Sequence, residues 1–512
     1  MSAVQQSRFS RAQFALTGAV FAAGWSSLAG VLAAGATLGF FLWDAFIVPM
    51  HRPALAQAAL LCGLPAAAIA AAALWTAYAR YFSRRTGVLY ERALQHDALS
   101  WLPFLLLWLV YVLPLSFTHG GGRLWVYCFT LFCLLKLAVA VRFNTTVRDV
   151  TVDFIVTRFA IIVIAELAAV IINQRAGVHV QESRDLLLAV WGHWDAVHYI
   201  DIATIGYHGT DMAFFPLYPL LIAALGKAVG NHLVAGLVIS NVALFFGLLY
   251  LYKLVEHEFD RHVARRSIFY ISIFPTAIFF SAVYTEALFF MLTVASFYYM
   301  RERRWWFAGL FGFFAALTRI EGVLLVVPYV IEWTAAHWAA LRGSGSKRDA
   351  LAHLLPVAFV PLGLAVYMTC LWVINGDPLY FSHVQANWNR HLAPPWTAVW
   401  NSVHKIAFSS MPQTVANQIL ELTFTALMIG VLAAGWRRLR PSYIAYMALS
   451  ILVPLCTSSL MSMPRFALVL FPMFAIFGLW GSRPTLNNAI VALSLPLLGL
   501  FTVLFADWYW VA

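Results

Sequence analysis

Long apolar runs, separated by short polar segments that carry most of the arginines, follow one another along the whole chain. Several runs reach the roughly 20 helical residues that are needed to cross a hydrocarbon core of about 30 Å. A membrane barrel would instead show short segments of alternating polarity. The pattern therefore predicts an all-α fold, a polytopic transmembrane helical bundle.

Basic residues set the direction of each crossing, because Lys and Arg accumulate in cytoplasmic loops. With Arg8 and the amino terminus inside, the chain makes about fifteen crossings, which include hairpins of short helices at 267–300 and 304–341. Two long polar segments, 175–213 and 375–413, then lie on the outer face. The first of these outer loops is expected to contain a juxtamembrane helix.

Residues 213–229 are apolar but contain Pro216 and Pro219 near their start. Counting this segment as a full span would place the next basic cluster outside the cell and break the charge bias. We therefore predict a juxtamembrane or re-entrant segment here, which does not cross the membrane.

The composition agrees with this picture, since 62% of residues are hydrophobic and 11% are charged, which excludes an ordinary soluble domain. The formal net charge of +11 arises from 33 basic and 22 acidic residues. Because the basic residues cluster between apolar runs, the excess reports membrane orientation rather than nucleic-acid binding. The five cysteines lie in or beside apolar runs and are predicted to be buried free thiols.

The densest group of ionisable and aromatic residues lies in the first outer segment, between Trp191 and Pro219. On a helix, Asp195, His198 and Ile202 share one face, which predicts a short helix at this point. An aspartate beside an imidazole has the chemistry of a general base. The alternative is that Asp195 only caps the helix and His198 only packs.

A metal site is a second interpretation of the same segment, because carboxylates and imidazoles both coordinate cations. The spacing matches no strong zinc signature, and the same residue types are common in sugar-binding sites, so no metal is predicted. The residues concerned are His193, Asp195, His198 and Asp201.

Charged side chains also lie at the outer tips of apolar helices, where an unpaired charge is costly and marks a partner or a substrate. Two of them, Arg319 and Arg465, could clamp a lipid phosphate between their guanidinium groups. Alternatively, Arg319 pairs with a nearby glutamate and Arg465 extends to the interface. The candidate substrate-binding residues at these tips are Tyr284, Glu286, Arg319, Glu321 and Arg465.

Further candidates for substrate contact are aromatic or imidazole side chains of the first outer segment, which could stack on sugar rings. Membrane interfaces are rich in Trp and Tyr in any case, so this evidence is weak by itself. These candidates are Trp194, Tyr207, His208 and Tyr218.

Several spaced motifs resemble the PIG-V family, the second mannosyltransferase of GPI-anchor synthesis, within the GT-C class of membrane glycosyltransferases. The resemblance covers about residues 150–512, and the first motif carries most of the weight. The motifs are His193–Ala203, Gly206-Tyr207, Ala213–Pro219, Phe279–Glu286, Leu317–Arg319 with Gly322, Gly376–Pro378, and Pro464–Phe466 running into Leu470–Pro472.

The resemblance implies that a hexose, mannose above all, is transferred with inversion from a polyprenyl-phosphate donor, with Asp195 as the general base. The acceptor would be a lipid, a glycan or a protein at the outer face of a bacterial plasma (inner) membrane. Membrane lipids are the other expected partners, and neither a cofactor nor a nucleotide-sugar site is implied. Residues 153–512 would form a GT-C-like core, whereas residues 1–152, with four predicted spans, have no counterpart in the family core.

Two other functional classes remain open from the sequence. A multi-span lipid or small-molecule transporter or flippase also carries polar residues in a helical bundle, although its key groups usually lie near the bilayer midplane. A purely structural membrane protein would not require Asp195 and would leave Arg319 and Arg465 far apart.

Overall fold

The computed structural model describes residues 144–172, 186–343 and 346–511, together with Arg84. The four spans predicted before residue 143 and three of the cysteines, Cys62, Cys128 and Cys133, lie outside the described residues. The chain divides into two compact units, one of residues 1–148 and 228–230 and the other of residues 149–227 and 231–512. Everything that follows concerns the second unit.

The described residues are almost entirely helical, as predicted, and a bridge between Leu392 and Thr457 is the one β-type pairing among them. The α-helices are α1 (Thr145–Ile171), α2 (Leu186–Ala189), α3 (Ala196–Ile205), α4 (Leu217–Val229), α5 (His232–Glu258), α6 (Arg261–Ser272), α7 (Glu286–Arg301), α8 (Trp305–Thr318), α9 (Val326–Leu341), α10 (Lys347–Leu354), α11 (Phe359–Asn375), α12 (Tyr380–His383), α13 (Pro395–Phe408), α14 (Pro412–Gly435), α15 (Pro441–Leu455), α16 (Met463–Val469), α17 (Phe471–Trp480) and α18 (Pro484–Ala506).

Six described helical segments are long and apolar enough to cross a membrane, or seven if α16 and α17, which meet at a 72° bend, count as one span. They include α1, α5, α14 and α18. The count of about fifteen crossings is not confirmed. Three helices of the predicted hairpins are short, since α6 has 12 residues, α7 has 16 and α8 has 14, whereas Ile320–Ala340 has 21 residues and is one of the six candidate spans. At 1.5 Å per residue, the three short helices reach only about 18–24 Å.

The break between α6 and α7 has a physical cause that the hydrophobic pattern does not show. The buried guanidinium of Arg158, on α1, donates to the carbonyls of Ser272 at 2.7 Å and Ala277 at 2.9 Å. Buried backbone carbonyls outside a regular helix need such donors. Arg158 therefore supports an irregular connection, residues 273–285, that leads to the candidate site.

Glycines let neighbouring helices approach closely, as is common in membrane bundles. A Cβ at Gly247 on α5 would lie 2.6 Å from the ring of Phe290 on α7, and one at Gly309 on α8 would lie 2.2 Å from the carbonyl oxygen of Pro356. The first contact joins α5 to α7, and the second joins α8 to the turn that precedes α11.

A largely buried ionic network joins the ends of α5, α7 and α15 to the middle of α9. Glu332 on α9 accepts hydrogen bonds from Arg440 at 3.0 Å and from Arg301 on α7 at 3.2 Å. Arg301 also pairs with Glu258 at the end of α5, and Ser442 on α15 donates to Glu332 at 2.6 Å. Because each charge has a partner, the network holds these helix ends in register.

The first polar segment folds as the sequence predicts. Residues Ala196–Ile205 form the short helix α3, which ends at Gly206 with a φ of +92°. Helix α4 has 13 residues, which is too short to cross a membrane, in agreement with the prediction for residues 213–229.

Candidate functional site

Asp195 occupies the position directly before α3, but its side chain makes no capping hydrogen bond. Its Oδ2 instead accepts a hydrogen bond of 2.6 Å from Arg465 Nη1. The side chain of Asp195 is 26% exposed. The position is thus that of a helix cap, whereas the carboxylate is held by an arginine from a distant part of the chain.

The hydroxyl of Tyr284 fixes the backbone around Asp195. Its hydroxyl donates to the carbonyl of His193 at 3.1 Å and accepts from the backbone N–H of Asp195 at 3.3 Å. The ring is fully buried, and the Tyr284 carbonyl accepts from the Ser240 hydroxyl at 3.3 Å. Helix α5 and the start of α7 are therefore both coupled to the loop that presents Asp195.

Glu286, the first residue of α7, joins the two predicted arginines. Its Oε1 accepts from Arg465 at 2.7 Å and from Arg319 Nη1 at 2.9 Å. Arg319 also lies 3.4 Å from Glu321 Oε2. Glu286 is fully buried, and a carboxylate at the first turn of a helix is favoured by the helix dipole. Asp195, Arg465, Glu286, Arg319 and Glu321 thus form one connected chain of ion pairs, called here the ion-pair chain.

Aromatic rings surround the cations of the ion-pair chain. The Arg465 guanidinium lies 4.9 Å from the ring centre of Tyr284, 5.2 Å from that of Phe279 and 5.6 Å from that of Trp510. Arg319 lies over Phe466 at 5.4 Å. Such rings stabilise a buried guanidinium and restrict its rotation.

The geometry agrees with the predicted phosphate clamp in one respect and differs from it in another. Arg319 and Arg465 come together at one carboxylate, contrary to what a purely structural protein would lead us to expect. However, both guanidinium groups already have carboxylate partners, including the pairing of Arg319 with Glu286 and Glu321 that the sequence left open. Tyr284 and Glu286 are buried within the ion-pair chain and do not line an open cavity.

A second polar cluster is centred on His198 of α3, close enough to Asp195 to feel its charge. His198 Nδ1 donates to Asp211 Oδ1 at 2.7 Å, and the imidazole stacks on Phe214 at 4.6 Å. Burial lowers the pKa of His198, but the Asp211 hydrogen bond and the charges of Asp195 and Asp201 outweigh it and raise the pKa above 6.5. Burial and the charge of Asp211 also raise the pKa of Asp201. The imidazole therefore gains a proton more readily than a free histidine.

The residues considered for a metal site do not converge. His193 is 1% exposed and stacks on Trp508 at 3.9 Å, and its Nδ1 lies 3.2 Å from the Phe505 carbonyl oxygen. Within the described ranges, no three His, Cys, Asp or Glu side chains are arranged to hold a metal ion. His193 is placed as a packing residue beneath the loop.

The remaining predicted contacts are mostly internal. The Tyr207 hydroxyl donates to the Phe214 carbonyl at 2.9 Å, and the fully buried Tyr218 bonds to the Ser240 hydroxyl at 2.7 Å. His208 is exposed and lies 3.0 Å from the carbonyl of Gly206, away from the ion-pair chain. Trp194, at a φ of +59°, contacts the rings of Trp508 and Trp510.

Residues 136–359 match the family model described as mannosyltransferase (PIG-V). Over these residues, which are less than half of the chain, the sequence is similar to the PIG-V mannosyltransferase family. The family resemblance expected from the motifs is confirmed for this region. Asp195, Glu286 and Arg319 lie within the matched residues, whereas Arg465 lies beyond them. The comparison with curated proteins gives no match.

Among solved structures, the chain is similar to the oligosaccharyltransferase of Archaeoglobus fulgidus in its apo form, with 13% identity and a TM-score of 0.34. It is also similar to the archaeal oligosaccharyltransferase AglB from Archaeoglobus fulgidus in complex with an inhibitory peptide and a dolichol-phosphate, with 14% identity and a TM-score of 0.32. Each alignment covers 68% of this chain and 55% of the other chain. This chain therefore spans about half the length of these proteins.

Several residues of the site were not identified from the sequence. Asp211, the partner of His198, is one of them. Arg390, whose Nη2 donates to the Met461 carbonyl, interacts electrostatically with Asp195 and Arg465, and burial lowers its pKa. The sequence signal that could have identified Arg390 is its position as a cation within the second outer segment, 375–413. Trp510 has no spacing signature at all, because it reaches the site only through the fold.

Proposed function

We propose that this protein is a membrane glycosyltransferase that moves a hexose, mannose in the first instance, from a polyprenyl-phosphate donor to a lipid, glycan or protein acceptor. In this proposal the reaction takes place on the extracytoplasmic side of the plasma (inner) membrane. The anomeric carbon is inverted, and Asp195 is the general base. The family match of residues 136–359 supports the reaction class.

One observation carries the assignment of Asp195. Its carboxylate is 26% exposed and is anchored through Oδ2, while Oδ1 forms no hydrogen bond with any residue that the structure describes. A fixed carboxylate with one available oxygen is suited to accept a proton from an incoming hydroxyl. Arg465 acts on Asp195 as a positioning residue, because its Nη1 holds Oδ2 of the base.

The reaction needs one such base. The acceptor oxygen attacks the anomeric carbon, the bond from that carbon to the donor phosphate oxygen breaks, and the acceptor proton passes to Asp195. The phosphate leaves with its charge already stabilised and needs little acid assistance. A retaining mechanism would need a second carboxylate about 5 Å away as a nucleophile, and Glu286, which shares Arg465 with Asp195, is fully buried and so cannot attack a substrate.

The donor phosphate is proposed to lie beside the arginines of the site. The ion-pair chain contains two arginines and three carboxylates, so by itself it offers an anion little net attraction. Arg390, whose main electrostatic partner is Glu421, adds a third cation near Arg465. We therefore include Arg390 with Arg319 and Arg465 as partners of the lipid phosphate.

The test is transfer of labelled mannose from polyprenyl-phosphate-mannose to lipids and proteins of the host membrane, with the purified full chain in lipid vesicles. Asp195→Asn is expected to lower the rate roughly 10²- to 10⁴-fold, the usual contribution of a general base. Asp349→Asn, an exposed carboxylate on α10, is the matched control and should leave the rate unchanged. Full activity of the Asp195 variant would remove that residue as the base, and no transfer by the unmodified protein would remove the function.

A further inference from the structure

A polar cavity of about 450 Å³ lies beside the ion-pair chain and is not explained by the reaction centre itself. Its walls come from the segment after α12, from α13 and α14, from the loop between α15 and α16, and from Trp510. The volume falls within the range of about 300–1,000 Å³ that is typical of small-molecule sites.

The cavity is connected to the site through two of its walls. Trp510 faces the Arg465 guanidinium at 5.6 Å, and the ring centre of Trp388 lies 6.5 Å from that of His198. A molecule in the cavity would therefore sit next to the residues that hold Asp195.

The chemistry of the lining indicates a hydroxyl-rich ligand. Four carboxamides line the cavity, and each offers both donors and an acceptor to neighbouring hydroxyls. Two indole rings, those of Trp388 and Trp510, supply the flat apolar surface on which the C–H face of a sugar ring packs. The carboxamides are those of Asn389, Asn401, Asn417 and Gln418.

Two lining residues carry buried polar atoms that lack a partner among the described residues. These are Oε2 of Glu421, a side chain that is 3% exposed, and Nε1 of Trp510. Leaving a buried acceptor or donor unpaired costs about 1–3 kcal/mol, so such atoms usually have an unseen partner. One is an acceptor and the other a donor, and both are covered in this structure, so a small side-chain shift would bring them to ligand hydroxyls.

An anion fits the cavity less well than a neutral sugar. Lys405 is an exposed cation of the lining, but the buried carboxylate of Glu421 opposes it. Phosphate sites usually offer arginine forks or backbone N–H groups instead.

We propose that this cavity binds the pyranose ring of a substrate sugar, with Trp388 and Trp510 as packing surfaces and Glu421 and the carboxamides as hydroxyl partners. The ring belongs either to the acceptor glycan or to the hexose of the donor. This assignment to a substrate rests on the proposed function, whereas binding of the sugar itself does not.

Binding is measured with methyl α-mannopyranoside as the probe, by saturation-transfer NMR on the full chain in lipid nanodiscs. Glu421→Gln is expected to weaken binding roughly tenfold or more, because an amide donor replaces one of the two oxygens that can accept from a ligand hydroxyl. Asn417→Ala, a change at a partly exposed position, should weaken it as well and covers the case in which the Glu421 variant does not fold. Glu256→Gln, an exposed carboxylate on α5, is the matched control.

The aromatic walls are tested in the same way. Trp388→Ala should weaken binding, while Trp400→Ala, which removes an indole that is 68% exposed, should not. Unchanged binding in both the Glu421 and Trp388 variants overturns the proposal, as does the absence of saturable binding or a preference for inorganic phosphate.

Competition separates the two sources of the ring. If saturating polyprenyl-phosphate-mannose displaces the probe and polyprenyl phosphate alone does not, the cavity holds the donor hexose. If the probe remains bound beside the saturating donor, the cavity belongs to the acceptor. Asp195→Asn is expected to bind the probe normally, so loss of transfer in that variant is distinguished from loss of the sugar site.

Discussion

Arg465 Nη1 donates a hydrogen bond of 2.6 Å to Asp195 Oδ2, although the two residues lie 270 positions apart in the chain. The contact joins the first turn of α16 to the residue that precedes α3. The side chains are 6% and 26% exposed, so the pair is largely protected from solvent. A charge-assisted hydrogen bond in such a place fixes the direction of one carboxylate oxygen and leaves the other free to react.

Arg465→Lys tests this positioning. Lysine keeps the charge but lacks the planar fork with which Arg465 reaches both Asp195 and Glu286. Misplacement of a catalytic group by about 1 Å is expected to lower kcat roughly a hundredfold. We expect the KM for polyprenyl-phosphate-mannose to change little, because Arg319 and Arg390 retain their contacts. Steady-state kinetics with varied donor concentration measure both constants.

Arg483→Lys, at an exposed position before α18, is the matched control for this substitution. A tenfold rise in the donor KM with an unchanged kcat would contradict the positioning role and indicate that Arg465 mainly binds the phosphate.

Glu286→Gln is expected to destabilise the fold. The variant leaves Arg465 and Arg319 without their shared buried negative charge, and removal of one partner from a buried ion pair costs about 3–5 kcal/mol. Glu321→Gln removes only the second, longer contact of Arg319, so its cost should be smaller. Chemical denaturation in detergent measures both free energies of unfolding. Equal stability of the two variants would show that Glu286 is not the centre of the ion-pair chain.

Part of this site could be predicted from the sequence, because local spacing and polarity contain the information. The spacing of Asp195 and His198 predicted α3. The charges at the tips of apolar helices indicated Glu286, Arg319 and Arg465 as site residues. The fold then brings these three side chains together. The partners within the site could not be assigned from the sequence, since only the packed fold shows that Arg319 pairs with both Glu286 and Glu321.

The pattern of hydrophobic and polar residues predicted neither the helix breaks nor the cavity. Residues 267–300 are continuously apolar enough to suggest a hairpin of two spans. The chain can leave the helical conformation at 273–285 because Arg158, from a distant helix, donates to buried carbonyls that have no helical partner. Asn417 and Glu421 likewise carry no motif, and they meet Trp388 and Trp510 only through tertiary packing.

The pair of His198 and Asp211 predicts stability that depends on pH. The pKa of His198 is raised above 6.5 in the folded protein, so the pair stabilises the fold fully below that value. The contribution is lost as the pH rises through the raised pKa. Asp211→Asn should therefore lower Tm more at about pH 5.5 than at about pH 9. Thermal unfolding of both proteins across this range measures the difference.

Asp260→Asn is the control for the pH series, because asparagine can also cap α6 in place of the exposed Asp260. Its effect on Tm should be small at every pH. An equal loss of Tm in the Asp211 variant at both ends of the range would contradict a protonated His198 in the folded state.

Gly322 allows the segment that carries Arg319 and Glu321 to lie directly against α8. A Cβ at this position would meet the backbone of Ala315 and Ala316 at 2.3 Å, and backbone atoms cannot move aside as a flexible side chain can. Gly322→Ala is therefore expected to cost about 1–3 kcal/mol by overpacking and to reduce transfer by shifting Arg319. Gly430→Ala, in the interior of α14 with no atom within 4 Å of the new Cβ, should be neutral or slightly stabilising. Denaturation and transfer rates of the two variants are compared side by side, and a Gly322 variant as stable and active as the Gly430 variant would show that this close approach does not position the arginine.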